Sequence, residues 1–465
     1  MKVTAVIMAA GKSKRMKSAL PKVLHPILGV PMIQYSIDAV KAVSAGLPVV
    51  IIGHSREKVK QVVGVNARFV VQKEQLGTAH AVQQARHILE GKTDLVVVIS
   101  ADMPLLRSQT IKQLIDLQIQ NKGPLSLISI IGDSSHGFGR VVRDDNGNIL
   151  GVVEEKVATT KQLEILEYNA SVYCFRASWL WNALEKVDRS QVGEYYLTDL
   201  VSIAVSEKKQ VQAMVLEDAD EAIGINNRIH FAEAEKIMRC RVNQELMLNG
   251  VTMVDPDRVY IHKKVKIGRD TVLFPEVYLR GNTTIGEGCR IGPGVVISDS
   301  QVGNCCRILN SVLEGAVLED DVDMGPYCHL RKGAHLANNV HMGNFGEVKN
   351  SYLAAGVKMG HFSYIGDATI GKNVNIGAGT ITCNYDGEKK NHTEIGEGAF
   401  IGSDTMLVAP VKIGKGARTG AGAVVTKDVP DNVTVVGMPA KPIKVRKRMT
   451  KEINLVEKSN EKNIT

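Results

Sequence analysis

The stretch "IGRDTVLFPEVYLRGNTTIGEGCRIGPGVVI", residues 267–297, places Ile267, Leu273, Leu279, Ile285, Ile291 and Ile297 six residues apart. Six is neither the two-residue repeat of a strand nor the repeat of a helix. It fits one side of a triangular coil, with three sides making an 18-residue turn. Glycine follows the aliphatic in Ile267-Gly268, Ile285-Gly286 and Ile291-Gly292. The step returns at Leu318, Met324, Leu330, Leu336, Met342 and Val348, and again at Ile395, Ile401, Leu407 and Ile413. Each aliphatic is expected to point inward and stack on its counterpart one coil later, with strands of adjacent coils ~4.8 Å apart. From Val251 to Ala440 this predicts about ten coils, a prism on the order of 50 Å long. The step breaks after Ile376, where "CNYDGEKKNH" (383–392) is polar and turn-forming. Such a loop is either a tolerated insertion or a place where a rigid scaffold carries binding groups.

Upstream the grammar differs. Val3–Met8, Pro48–Gly53, Ala67–Val71, Asp94–Ser100 and Leu125–Ile131 are short, apolar and β-branched. Helical patterns lie between them, at Pro31–Val43, Thr78–Leu89 and Ser108–Gln120. Strands alternating with helices predict an α/β domain with a mainly parallel sheet covered on both faces. Arg228–Asn249 lacks Pro and Gly and stops at Gly250, so it reads as a joining helix. The expected organisation is 1–227, a linker helix over 228–250, the prism over 251–440, and a tail over 441–465.

The chain has 465 residues, too many for one ordinary domain. Its net charge of +8 suggests nucleic acid, but the tail from Lys441 holds eight Lys/Arg against three Glu. Most of the excess is therefore in a short polar segment, and neither nucleic acid nor membrane is expected as a partner. Seven cysteines, an odd number without a CxxC, read as reduced thiols of a cytoplasmic protein. The N-terminal apolar run is too short for a signal peptide and leads into cations, and no stretch approaches a membrane span.

At the end of the first strand, "VIMAAGKSKRM" (6–16) opens into a loop with Lys12, Lys14 and Arg15, and Lys22 follows. A solvated loop is the plain reading. Cations beside flexible backbone at a strand end also suit a phosphate chain, although neither a P-loop nor GxGxxG is present. Asp102, in "VVVISADMPL", ends another strand, where a carboxylate serves either as a turn residue or as a ligand for Mg²⁺ beside phosphates. His329, His335 and His341 are six apart, so they should fall on three sides of the prism and not converge on one metal.

"AAGKSKRM", "LPKVLH", "EQLGTAHA", "ADMPL", "GFGRV", "VVEEK", "GEYYLTD" and "GINNR" follow in order the motifs of sugar-1-phosphate nucleotidyltransferases. "GNFGEVKN", "GHFSYIGDA" and "GAGTITCNYDG" resemble an acetyltransferase. Together they resemble the family of bifunctional N-acetylglucosamine-1-phosphate uridylyltransferase/glucosamine-1-phosphate acetyltransferases, over nearly the whole chain except its last ~25 residues. The resemblance implies a Rossmann-like nucleotidyltransferase domain followed by a left-handed parallel β-helix of hexapeptide repeats, assembled as a homotrimer. It implies acetyl transfer from acetyl-CoA to glucosamine 1-phosphate, then UMP transfer from UTP to N-acetylglucosamine 1-phosphate with release of pyrophosphate. The product would feed peptidoglycan and lipopolysaccharide precursors.

The resemblance also implies residue roles. Met8, Ala9, Ala10, Gly11 and Lys22 would bind the nucleotide sugar or its precursor. Gln72, Gly77 and Thr78 would hold the uracil side. Ser100, Ala101 and Asp102 would line the site, with Mg²⁺ on Asp102 and Asn226, although Asn227 leaves that register open. Gly139, Glu154 and Asn169 would contact the sugar, and Arg15 would draw charge from the departing pyrophosphate. In the second half His361 would be the general base, a task that suits histidine near neutrality. Arg331, Lys349, Tyr364, Asn375 and Asn384 would hold the aminosugar phosphate. Ala378, Asn384, Tyr385, Ser403 and Ala421 would line the acetyl-CoA site. Two departures stand out. Asn169-Ala170-Ser171 replaces the family's Asn-Thr-Gly, and Lys441 is the candidate for a usual arginine, as a point charge and not a fork. Competing readings are a single-activity nucleotidyltransferase whose prism only oligomerises, and a non-catalytic trimeric scaffold. His361 and the "CNYDG" loop count against the first, and Asp102 with its phosphate loop against the second.

Overall fold

The computed structural model describes residues 1–11, 14–132, 137–191 and 193–443. Lys12 and the tail beyond residue 443 lie outside them. The chain divides into two compact units, Met1–Glu245 with Ile261–Lys263, and Leu246–Tyr260 with Lys264–Thr465.

The first unit runs β1 (Val3–Ala9), a small hairpin β2–β3 (Pro26–Ile27, Val30–Pro31), α1 (Met32–Lys41), β4 (Val49–Ile52), α2 (Arg56–Val63), β5 (Arg68–Val71), α3 (Thr78–Gln83), α4 (Arg86–Leu89) and β6 (Leu95–Ser100). It continues with α5 (Ser108–Gln120), β7 (Leu125–Ile131), β8 (Arg140–Arg143), β9 (Ile149–Val153), α6 (Thr160–Leu163), β10 (Glu167–Arg176), α7 (Ala177–Leu184), α8 (Asp199–Ser206), β11 (Val211–Val215) and α9 (Arg228–Leu248). The main sheet is ordered β11-β7-β10-β6-β1-β4-β5, and β8 joins β10 to β9. β6, β1, β4 and β5 are mutually parallel, as are β11 and β7. β10 runs antiparallel to both β6 and β7, so the sheet is mixed.

The alternation of β1 explains why both faces are covered. Ala5 and Ile7 pack with Ile33, Ile37 and Ile111 on one side. Val6 packs with Val82, Leu180 and Leu200 on the other. The helix expected over Thr78–Leu89 is two helices. The Gln84 and Ala85 amides bond three residues back, to Ala81 and Val82, which tightens the chain there. Ala234 and Met238 of α9 pack with Met16, Ile27 and Met32, so its first half belongs to this core. The helix stops where Gly250 turns to φ +95°, with the Val251 amide bonded to the Leu246 carbonyl. No helix among the described residues is long and apolar enough to cross a membrane.

The second unit is the left-handed parallel β-helix. Its short strands form three parallel faces of twelve, ten and nine strands, and a final antiparallel pair, Val435↔Pro442, ends the twelve-stranded face. Leu273 pairs with Ile291, Leu330 with Val348, and Ile376 with Ile401 across the inserted loop. These aliphatics are fully buried or nearly so. The corners demand left-handed backbone, which Asn and Asp tolerate better than other side-chain-bearing residues. Asp299, Asn310, Asp321, Asn339, Asn350, Asp367, Asn373 and Asp404 all take positive φ there.

His329, His335 and His341 lie on three different faces and meet Glu314, Glu319 and Asp323 respectively, at 3.0, 2.8 and 2.9 Å. No cluster of three or more His, Cys, Asp or Glu suited to a metal occurs among the described residues. The axis should be the mechanical weak point of the prism. Leu330→Ala removes a fully buried aliphatic from the stack and is expected to cost about 2–5 kcal/mol, read as a lower urea midpoint.

Candidate functional site

Because β1, β4, β5 and β6 are parallel, their carboxyl ends share one edge of the sheet, where ligands of such folds gather. A cavity of about 450 Å³ opens there. Met8, Ala9, Ala10 and Gly11 line it at the end of β1, Gln72 after β5, Ser100 and Asp102 at the end of β6, Lys22 and Gly77 from connecting segments, and Thr78 from the start of α3. Ala101 stays buried, its amide donating to the Met8 carbonyl at 3.0 Å.

The Lys22 ammonium forms a short ion pair with Asp102 Oδ2 and lies 3.4 Å from Asn226 Oδ1. Arg15 Nη2 donates to the same Asn226 oxygen at 2.8 Å. Burial works to raise the Asp102 pKa, but the Lys22 charge and hydrogen bond, helped by Ser100, hold it below the usual value. The segment after Gly224 is held there by backbone, since the Ile225 amide donates to the Asp102 carbonyl at 2.9 Å. The neighbouring asparagines divide their work. Asn227 Oδ1 accepts the Ile229 and His230 amides at 2.9 Å and caps α9, so Asn226 is the one that faces Asp102.

Gly77 shows why its loop needs glycine. At φ +110°, a Cβ there would stand 2.4 Å from the Tyr195 carbonyl oxygen. Tyr195 pairs with this loop through Leu76 and Ala79, and the Leu197 amide donates to Thr78 Oγ1 at 2.8 Å. Gln72 Nε2 donates to the Gly77 carbonyl at 3.1 Å. The "EYYLTD" stretch thus clamps the "LGTA" loop and brings Glu194 to the cavity wall. Glu194 lay within a quoted motif. Gln75, also at the cavity wall, lies within the motif "EQLGTAHA", whereas His54, which lines the cavity too, carries no such signal.

Gly139, Glu154 and Asn169 are not among the residues lining that cavity. The Asn169 amide donates to the Gly139 carbonyl at 2.8 Å, and Thr198 Oγ1 donates to Glu154 at 3.0 Å. Burial, then the charges of Glu154 and Asp188, push Asp199 up to about 6.

In the second unit the register sorts the candidates. Met359, Ile376 and Ile401 pair in successive coils, and Arg418 follows Phe400 in the next. His361, Ala378, Ser403 and Ala421 occupy equivalent positions just beyond those residues. They therefore run up one corner of the prism, three of them exposed and Ala378 half-buried. Asn375 sits on the strand leading to that corner.

Arg331, Lys349 and Asp367 occupy the opposite corner of the ten-stranded face, with Tyr364 on the strand between. Asn384 donates to Asp367 Oδ2 and lies 3.4 Å from the Tyr364 hydroxyl. Gly366 makes room, since a Cβ there would stand 2.3 Å from that hydroxyl. The inserted loop braces itself: Asp386 accepts the Lys389 amide at 2.8 Å, and Tyr385 bridges to Lys390. Tyr385 is exposed.

The loop delivers Lys390, which no motif had marked. Contact with Lys390, then burial and the charges of Lys390 and Arg331, lower the Lys349 pKa, opposed by Asp367. Arg331 is paired with Glu347 at 3.0 Å, which leaves Lys349 and Lys390 crowded against Asp367, a site that an anion would relieve. Lys441 lies exposed on the terminal strand Lys441–Pro442.

Residues 5–137 match the family model of the MobA-like NTP transferase domain. Residues 264–299 and 392–427 match the bacterial transferase hexapeptide model of six repeats. The chain is 45% identical to the bifunctional protein GlmU of Heliobacterium modesticaldum, over 94% of this chain and 95% of that one. It is 42% identical to the protein of the same name from a Geobacillus strain, over 92% and 94%, and 43% identical to that of Listeria welshimeri, again over 92% and 94%. The chain belongs to the bifunctional GlmU family, in which a nucleotidyltransferase unit and a hexapeptide-repeat transferase unit share one polypeptide.

Proposed function

We propose that the chain acetylates glucosamine 1-phosphate with acetyl-CoA and then transfers UMP from UTP to the N-acetylglucosamine 1-phosphate formed, releasing pyrophosphate. The observation that carries this reading is the meeting of Lys22, Asp102, Asn226 and Arg15 at the carboxyl ends of parallel strands, beside a cavity of about 450 Å³. Both reactants of the uridylyl transfer are anions. An oxygen of the sugar phosphate attacks the α-phosphorus of UTP, and the bond to pyrophosphate breaks. Alignment and charge suffice, with no protein nucleophile. Lys22 and Arg15 offset phosphate charge, and the backbone of Met8–Gly11 lies against the chain of phosphates.

The oxygens of Asp102 and Asn226 fit a small, hard divalent cation, since a carboxylate and an amide oxygen already share one positive group, the Lys22 ammonium. We assign this ion as Mg²⁺, which when bound supplies further positive charge against the triphosphate.

In the second unit, His361 takes a proton from the amine as its nitrogen attacks the thioester carbonyl. The carbon–sulfur bond breaks, and the thiol of coenzyme A departs with a proton. Lys349, Lys390 and Arg331 receive the sugar phosphate, with Tyr364, Asn375 and Asn384 around the sugar. Ala378, Tyr385, Ser403 and Ala421 border the acetyl-CoA, with Lys441 toward its far end. UTP and acetyl-CoA are metabolites of the cytoplasm, which supports that location.

A homotrimer is the assembly we infer. Tyr327, Phe345 and Phe362, each more than half exposed, hold equivalent places in successive coils beside the His361 corner. Aromatics left in water along a rigid edge favour burial against another prism. Sedimentation should give three times the chain mass, and a monomer would overturn the inference.

The two half-reactions should come apart by mutation. Asp102→Ala is expected to lower uridylyl transfer at least ~100-fold while acetylation persists. His361→Ala should do the reverse, with acetylation down by about 10²–10⁴-fold. Parallel loss of both rates in a folded protein would contradict separate sites. Lys390→Ala should raise KM for glucosamine 1-phosphate by roughly 10-fold or more, as expected for a lost charge-assisted hydrogen bond. Its KM for UTP should not move.

A further inference from the structure

Asn169 stands at an irregularity in β10. Asn169 pairs with Ser129 and Tyr173 with Leu127, so four steps on β10 answer two on β7 and the chain bulges between them. Within that bulge Ser171 adopts φ +59°, a left-handed conformation that glycine takes at no cost and serine does not. What holds it is a side-chain network. Asn169 Oδ1 accepts the Ser171 amide at 3.2 Å, closing an Asx-turn. Asn169 Nδ2 donates to the Tyr173 hydroxyl at 2.6 Å. Asn169 and Tyr173 are 1% and 2% exposed, so none of these bonds has a cheap exchange with water. The Tyr173 ring is itself fixed, stacked on Phe175 at 5.5 Å.

Both ends of the Asn169 amide are thereby pinned, and its orientation is set by the chain. One N–H and one lone pair of the amide are left over. We propose that Tyr173 is a positioning residue for the sugar subsite: it aims the Asn169 amide at the sugar of N-acetylglucosamine 1-phosphate. The left-handed backbone at Ser171 is held by the bond from its amide to Asn169 Oδ1. The proposal rests on the reading of Asn169 as a sugar contact. Tyr173 touches no substrate, so its effect should fall on sugar affinity alone.

Tyr173→Phe deletes only the hydroxyl and keeps the ring. In the full-length enzyme we expect KM for N-acetylglucosamine 1-phosphate to rise about 5–10-fold, the loss of one buried hydrogen bond. KM for UTP in the same assay should stay within twofold, as should kcat. In an Asn169→Ala background, Tyr173→Phe should add nothing further. If Asn169→Ala leaves the sugar-phosphate KM unchanged, the sugar-contact reading itself fails. If Asn169→Ala raises that KM but Tyr173→Phe does not, or raises both KM values alike, the positioning role is overturned. Circular dichroism melts on each variant establish that the protein compared is folded.

Discussion

In a parallel pair each strand must be followed by a crossover before the next can begin, and all strands end at the same edge. In the first unit the crossovers are helices, and the shared edge gathers the loops after β1, β5 and β6 around one cavity. In the second unit the crossovers are the other two sides of the coil, and the consequence is repetition. Any residue at a given corner has a counterpart directly above it, about 4.8 Å away. Parallel pairing is thus what turns scattered sequence positions into sites in both halves. Remove it and neither the Lys22–Asp102–Asn226 group nor the His361 corner would exist.

The two sites use charge differently. Around Asp102 opposite charges are already paired, so that the carboxylate stays ionised despite burial. Around Lys349 like charges are crowded, and Asp367, with Glu347 paired to Arg331, answers only part of them. The first arrangement suits a site that must hold its ligands in order. The second suits a site whose anion arrives with the substrate and leaves with the product.

Much of this was legible in the chain itself. The six-residue step announced the prism, because an inward side chain once per side is a demand that each coil repeats independently. The phosphate loop, Asp102 and the inserted "CNYDG" loop were legible as motifs. Other features were not. The antiparallel β10 was hidden, because a strand buried on both faces reads the same in either direction. The corner Asn and Asp residues resemble ordinary polar loop residues until their positive φ is seen. His54 lines the cavity with no motif to mark it.

The sequence alone determined the two architectures, the order of the units and the residue types available for chemistry, since periodicity and motif spacing are local properties of the chain. Only the tertiary structure decided which residues meet. Asn226 faces Asp102 while Asn227 caps a helix, although the two are chemically identical neighbours. Lys390 joins Lys349 because an inserted loop folds back on its own coil. Ser171 is tolerated at a left-handed position because Asn169, itself pinned by Tyr173, accepts its amide. Each of these outcomes depends on distances between segments far apart in sequence or on one backbone angle, and neither is written in residue identity.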